Sequence, residues 1–257
     1  MTLRTVATTR YVTPLREGGS LPGLVEAEDL GTYVCKFRGA GQGVRVLVAE
    51  VIVGELGRAL GIRTPDLVAL ELDAVIGRYE ADEEVQNLLS ASVGLNLGVD
   101  FLPGSFGYDA TSTPEPDVAA SILWLDALTT NVDRSWRNPN LLVWHRQLWA
   151  IDHGACLYFH HAWPGGIGPV ERFAVAPYDA SEHVLGAYRS ELPRVDAELA
   201  PRVTADLLEA VVAEVPDPWL EPVPGAEDPD AVRAAYVRFL LARVSGPRAW
   251  LPSAGAA

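Results

Sequence analysis

The sequence has almost no lysine. Of its twenty lysine and arginine residues, Lys36 alone is a lysine. Lysine is a compact point charge on a thin stem, and it fits where a planar guanidinium does not. Lys36 also lies inside an apolar, strand-like run at residues 32–37, where a solvated lysine is less expected than on a strand edge. The position and rarity of this residue predict a functional lysine.

Other absences exclude whole classes of protein. The net charge of −14 argues against nucleic acid or an anionic membrane as a partner, because both need a positive surface. No apolar run approaches the ~20 residues that span a bilayer, and residues 1–20 do not read as a signal peptide. Cys35 and Cys156, both in apolar and strand-like context, indicate buried thiols in a reducing cytoplasm. The sequence has no Gly-Lys-Ser/Thr motif of a P-loop protein and no Gly-x-Ser-x-Gly motif of a serine hydrolase. Nothing in it indicates the oligomeric state.

Three oxygen-bearing side chains follow a fixed spacing between residues 129 and 154. Asn138 lies five residues after Asp133, and Asp152 follows a predicted β-hairpin of two apolar runs around a polar turn. The hairpin returns Asp152 close to Asn138, within reach of one Mg²⁺ ion, which prefers oxygen ligands. Asn140 competes with Asn138, whose spacing we prefer. With Asp133 as a base for a hydroxyl, these are the parts that phosphoryl transfer from ATP needs.

The region before residue 105 is rich in predicted strands. Gly18, Gly19 and Ser20 form a turn between two of them, and the backbone N–H groups of such a turn suit phosphate oxygens. A helix is predicted over 46–60, and it carries two candidate partners for Lys36. Glu55 borders the apolar face of a helical wheel and Glu50 lies away from it, so the wheel favours Glu55.

The order of elements predicts an α+β fold with two lobes and a functional site in the cleft between them. A β-rich N-lobe is expected over 1–104 and a mainly helical C-lobe over 105–257. The Pro- and Gly-rich segment 103–117 marks the boundary. Strands are predicted over 3–14, 24–37, 66–72 and 95–102. Helices are predicted over 80–92, 118–130, 181–190, 204–214 and 229–245, with a loop-rich region over 160–179.

These motifs resemble those of the HipA-like kinases, and the Asp-Arg start of the loop is similar to that of phosphatidylinositol kinases. The resemblance covers residues 31–61 and 120–156. It implies that Lys36 holds the α- and β-phosphates of ATP, and it favours Glu50 over Glu55 because Ala49-Glu50 is similar to the family's Asn-Glu pair. It further implies backbone contacts to adenine from the strand that carries Asp100, Phe101 and Leu102.

The sequence departs from the family pattern at two points. His153 replaces the phenylalanine of Asp-Phe-Gly, and the N-terminal subdomain of the HipA toxins is not found, so the resemblance implies no toxin activity. The expected function is an ATP- and Mg²⁺-dependent kinase acting on a hydroxyl of a protein or a small molecule. A catalytically weak nucleotide-binding scaffold and an AMP-transferring enzyme on the same fold remain alternatives. Ser20 is a hypothetical site of autophosphorylation.

Overall fold

The computed structural model describes residues 2–15, 21–41, 43–78 and 80–253. Five strands in its first half form a closed barrel: β1 (Thr5–Pro14), β2 (Gly23–Ala27), β3 (Thr32–Lys36), β4 (Leu67–Leu72) and β5 (Gly94–Asp100). Their order around the barrel is β1-β2-β3-β5-β4, and a parallel pairing of β1 with β4 closes it. Side chains alternate between the two faces of a strand. Tyr33 and Cys35 of β3 therefore point into the barrel, while Lys36 faces outward.

The second half is mainly helical and carries a small antiparallel sheet. The sheet consists of β6 (Phe106–Gly107), β7 (Leu141–Trp144) and β8 (Gln147–Ala150). The α-helices of the described residues are α1 (Val44–Leu60), α2 (Glu83–Ala91), α3 (Pro116–Thr129), α4 (Val170–Val175), α5 (Leu192–Leu199), α6 (Ala205–Val212) and α7 (Pro229–Ser245). Strands before residue 101 and helices after residue 115 confirm the predicted two-lobed α+β fold. The exact boundary at residue 104 stays a prediction.

Two hydrophobic cores hold these elements together. The smaller core fills the barrel and includes Val25, Cys35 and Leu70. The larger core runs from α1 through α3 to α7 and includes the buried rings of Trp124 and Trp250. Helix α1 is buried almost all round, as is typical of a helix without a polar face. It therefore belongs to the packing of the helical half, although it follows β3 in the chain.

Two predictions about the second half are wrong. No α-helix forms over 181–190: a 3₁₀ turn covers Gly186–Glu191, and α5 begins only at Leu192. Pro193 suits the start of α5, because proline is favoured in the first turn of a helix. Cys156 lies in a turn rather than a strand, although it is buried and unpaired, as is Cys35.

The region expected to be loop-rich over 160–179 contains a 3₁₀ helix at Tyr158–Gly165 and the short helix α4. Further 3₁₀ turns occur at Ala200–Arg202, Asp217–Trp219 and Arg248–Trp250. Thr204 and Asp228 accept backbone N–H groups as the N-caps of α6 and α7. In the described part of the chain, no helix has the length and apolar character needed to cross a membrane.

His160 is a fully buried histidine in the larger core. Its Nδ1 lies 2.9 Å from the hydroxyl of Tyr236 on α7. Burial, with smaller contributions from His161 and Arg45, holds the pKa of His160 well below its ordinary value. The unfolded chain binds a proton at this residue near pH 6.5, and the folded protein does not. The free energy of unfolding therefore decreases as the pH falls below 6.5.

Between pH 7 and pH 5, we expect the free energy of unfolding to fall by about 2 kcal/mol less in His160→Gln than in the wild type. Urea unfolding of both proteins at the two pH values measures this difference. His145→Gln, in an exposed turn, is the control and should keep the wild-type pH dependence. Equal pH dependence in wild type and His160→Gln would show that His160 binds a proton in the folded state.

Candidate active site

A cavity of about 890 Å³ lies between the barrel and the helical half. Its volume suits a ligand the size of a nucleotide, because small-molecule sites are usually ~300–1,000 Å³. Residues from both lobes form its walls, which combine apolar side chains with a few polar ones. The apolar group includes Val34, Val99, Leu102, Leu142 and Ile151, and the polar group includes Lys36, Asp100, Arg137, Asn138 and Asp152.

Lys36 forms ion pairs with two carboxylates at the back of this cavity. Its ammonium group contacts Oε1 of Glu50 on α1 and lies 2.8 Å from Oδ1 of Asp152, which follows β8. We call this group the Lys36–Glu50–Asp152 cluster. It joins the barrel, α1 and the segment after the hairpin, which are far apart in sequence.

The lysine is paired with Glu50 and not with Glu55. Glu50 is only 3% exposed, whereas the side chain of Glu55 pairs with Arg58 on the same helix. The helical wheel favoured Glu55 because it assumed a single apolar face. Helix α1 is buried on nearly every side, so its hydrophobic pattern does not indicate which glutamate points inward.

The charges of the cluster depend on one another. Burial disfavours the charged form of Lys36, but attraction to Glu50 and Asp152 outweighs this effect and raises the pKa of the lysine. Burial raises the pKa of Glu50 to about 7, although Lys36 acts in the opposite direction. Burial also opposes the charge of Asp152, yet its pKa is lowered because the attraction of Lys36 is stronger. Lys36 and Asp152 are therefore charged at neutral pH.

The predicted hairpin is confirmed and brings the rest of the site together. β7 and β8 pair from Leu141–Ala150 to Trp144–Gln147. A two-residue turn connects them, and both of its residues have positive φ, 47° at His145 and 61° at Arg146. This geometry matches the twist of a hairpin and usually requires Asn-Gly. Gln147 belongs to β8, not to the turn as predicted.

Asp133 lies on the loop before the hairpin and contacts two residues that line the cavity. Its Oδ2 accepts a hydrogen bond of 2.8 Å from Nδ2 of Asn138, which lines the cavity. Nδ2 of Asn140 donates to the backbone oxygen of Asp133 at 2.9 Å and lies 3.4 Å from its carboxylate. The two asparagines that competed in the sequence therefore both hold the same aspartate.

Asp152 and Gly154 have backbone requirements of their own. Asp152 has φ 54°, a left-handed conformation that aspartate tolerates better than most residues other than glycine. A Cβ atom at Gly154 would lie 2.5 Å from Val46 and 3.1 Å from Oε1 of Glu50. Only glycine therefore allows α1 to approach close enough for Glu50 to reach Lys36.

Arg134 and His153 are structural residues. The side chain of Arg134 is fully buried against Asp126. His153 lies beside it, with Nδ1 3.4 Å from the guanidinium. Burial and Arg134 lower the pKa of His153 to about 3, so this imidazole is neutral. It fills space under the site where the family pattern has phenylalanine.

The segment that was expected to contact adenine lies along the cavity wall. Asp100, Phe101 and Leu102 all line it. However, the amide of Asp100 donates to the carbonyl of Asp66, and the amide of Phe101 donates to that of Thr32. These two N–H groups are not available to a purine, so a backbone contact has to use other groups of the segment.

Gly18, Gly19 and Ser20 lie outside the described residues, and their role stays a prediction. Pro14, Leu15 and Pro22, which flank that segment, line the cavity.

Some residues of the cavity wall were not assigned to the site from the sequence alone. Val34 lies two residues before Lys36 on β3, so strand alternation places both on one face. This spacing in the sequence could have identified Val34. Ile151 directly precedes Asp152. Arg137 also lines the cavity, and its local sequence is compatible both with a contact to a substrate phosphate and with a solvated or structural role.

Comparison with solved structures gives kinases of low identity. One is the Helicobacter pylori proinflammatory kinase CtkA, at 9% identity and a TM-score of 0.48, with 93% of this chain and 98% of that chain covered. Another is the Golgi casein kinase, at 13% identity and a TM-score of 0.42, covering 95% and 72%. Its structure with Mn/ADP bound gives 13% identity and a TM-score of 0.44, covering 96% and 74%.

No curated protein matches the chain. A family profile described as HipA-like kinase matches residues 9–162. The matched part includes the Lys36–Glu50–Asp152 cluster, the loop of Asp133 and the hairpin, and it is more than half of the sequence. The chain belongs to the HipA-like kinase family.

Proposed function

We propose that this protein is an ATP- and Mg²⁺-dependent phosphotransferase that transfers the γ-phosphate to a hydroxyl group. The observation that carries the proposal is the Lys36–Glu50–Asp152 cluster at the back of a nucleotide-sized cavity. Phosphoryl transfer requires positioned charges more than covalent chemistry. The cluster brings a cation and a metal-binding carboxylate to one point.

Lys36 holds the α- and β-phosphates in this proposal, and Glu50 keeps the lysine in place. The lysine is only 14% exposed and its partner 3%, so the pair is rigid and little screened by solvent. In the structure Lys36 also contacts Asp152. Binding of phosphate oxygens would replace this second contact, while the buried contact to Glu50 remains.

Asn138 and Asp152 are the proposed ligands of Mg²⁺. The donor set fits, because both side chains offer oxygen and line the same cavity. Asn138 uses its amide nitrogen to bind Asp133, which leaves its amide oxygen as the group for a cation. The ion would neutralise charge on the phosphates.

Asp133 is the proposed base that orients or deprotonates the acceptor hydroxyl. It is held by Asn138 and Asn140, which both line the cavity. Adenine would occupy the apolar end, beside Asp100, Phe101 and Leu102, with Gly18, Gly19 and Ser20 over the phosphates. The acceptor belongs to a protein or a small molecule, and the lobes would divide at 1–104 and 105–257.

Replacing Glu50 and Glu55 one at a time distinguishes the partner of Lys36 from the other glutamate of α1. We expect Glu50→Gln to lower kcat/KM for ATP at least about tenfold, a loss of about 1.4 kcal/mol in transition-state stabilisation. Glu55→Gln is the matched control, since its side chain pairs with Arg58, and its rate should stay within about twofold of wild type. Steady-state ATP turnover measures both. Equal effects of the two replacements would contradict the role of Glu50.

Asp133→Ala and Asp152→Ala should each lower phosphate transfer by roughly 10²-fold or more, because they remove a base and a metal ligand. Nucleotide binding distinguishes them. Asp152→Ala should lose the Mg²⁺-dependent part of ATP affinity in calorimetry, and Asp133→Ala should retain it. Asp230→Ala, 94% exposed on α7, is the control and should behave as wild type.

Assays with labelled ATP also test which group of ATP is transferred. Transfer of label from γ-labelled ATP, and not from α-labelled ATP, is expected. Transfer from α-labelled ATP would show an AMP transferase. ATP and Mg²⁺ binding without turnover on any acceptor, or unchanged transfer in Asp133→Ala, would contradict the proposal.

A further inference from the structure

One buried carboxylate contacts three other side chains, two of which are on the loop that carries Asp133. Asp126 lies near the end of α3 and is fully buried. Its Oδ1 accepts a hydrogen bond of 2.8 Å from Asn131. Its Oδ2 accepts from Nε of Arg134 and lies 3.0 Å from Nε2 of His183. A buried carboxylate with all these partners determines how they are oriented.

Asn131 connects this carboxylate to the proposed base. Its Nδ2 donates to Asp126, and its Oδ1 accepts the backbone N–H of Asp133 at 2.9 Å. An ionised carboxylate only accepts hydrogen bonds. Asp126 therefore forces the nitrogen of Asn131 toward itself and the oxygen toward Asp133. The direction of both bonds is fixed by a residue seven positions before the base.

Arg134 connects the same carboxylate to the hairpin. Its Nη1 donates to the carbonyl groups of Asn140 and Ile151, which lie at the two ends of the hairpin. Arg134 thus holds together the start of β7, next to Asn140, and the end of β8, next to Asp152. Burial opposes the charge of Asp126, but Arg134 and His183 outweigh it and keep the pKa of Asp126 well below its usual value. The carboxylate is charged and can hold all three partners.

We propose that Asp126 is a positioning residue that sets the orientation of Asp133 through Asn131. The inference rests on the proposed function of Asp133 as the base. Asp126 does not touch a substrate; it acts through the donor and acceptor order Asp126, Asn131, Asp133.

Exchanging the aspartate at 126 with the asparagine at 131 tests this order of hydrogen-bond donors and acceptors. In Asp126→Asn the new amide has one oxygen, which Arg134 and His183 need, so its NH₂ group faces the NH₂ group of Asn131. Asn131 then has to turn its amide and loses the bond to Asp133. The double variant Asp126→Asn/Asn131→Asp restores a donor at 126 and an acceptor at 131, and it keeps the net charge.

We expect Asp126→Asn to lower kcat at least tenfold with ATP affinity within twofold of wild type. The double variant should recover to within about threefold of wild-type kcat, a coupling that independent sites do not show. Asn131→Ala removes the connection and leaves Asp126 with Arg134 and His183, so it should fold and lose kcat to a similar extent. It keeps the test decisive if Asp126→Asn does not fold.

Amide hydrogen exchange at Asp133, measured by NMR, is a readout that needs no turnover. The amide should exchange at least tenfold faster in Asp126→Asn and Asn131→Ala, and near the wild-type rate in the double variant. Asp196→Asn is the matched control. Asp196 accepts the indole N–H of Trp124 on α3 and the guanidinium of Arg248, and it should leave exchange at Asp133 unchanged.

The two readouts separate the proposals. A wild type without turnover would overturn the proposed function, while exchange at Asp133 would still decide the role of Asp126. Wild-type exchange and kcat in Asn131→Ala, or a double variant no better than Asp126→Asn, would overturn the positioning role.

Discussion

The site depends on one ammonium group held between two carboxylates. Without Lys36, Glu50 and Asp152 would repel each other at close range in a poorly solvated place, and one of them would take up a proton. Buried ion pairs contribute little net stability, because desolvation offsets their attraction, but loss of one partner is costly. The cluster is therefore best understood as a constraint on geometry. It fixes the barrel, α1 and the hairpin segment relative to one another.

The position of Glu50 is set by the helical half of the molecule. Helix α1 packs in the larger core with α3 and α7, and Gly154 allows its close approach to the Asp152 segment. Lys36 instead belongs to the barrel. The contact between Lys36 and Glu50 thus joins a barrel strand to a helix of the larger core, and it reports whether the two are correctly assembled. Asp126 has the corresponding place in the helical half, where it joins α3 to the loop of Asp133.

Much of this arrangement could be predicted from the sequence, because its signals are local. Alternating apolar residues gave the strands, two apolar runs gave the hairpin, and the single lysine identified β3. Signals that depend on tertiary packing were not accessible. Glu50 and Glu55 look alike on a helix that is buried on all sides. Arg134 reads as an ordinary loop arginine until Asp126, eight residues earlier, is seen to neutralise it. The start of α5 followed Pro193 rather than the apolar pattern before it.

The scarcity of lysine has a chemical consequence. Lys36 carries the one ε-amino group of the chain, so every reaction specific for lysine side chains converges on the Lys36–Glu50–Asp152 cluster. Acetylation would cancel the charge between the two carboxylates, and attachment of a bulky group would force β3 away from α1. Crosslinkers and labels that attach harmlessly to surface lysines in most proteins have no such position here. In this molecule, modification of a lysine side chain necessarily changes the site.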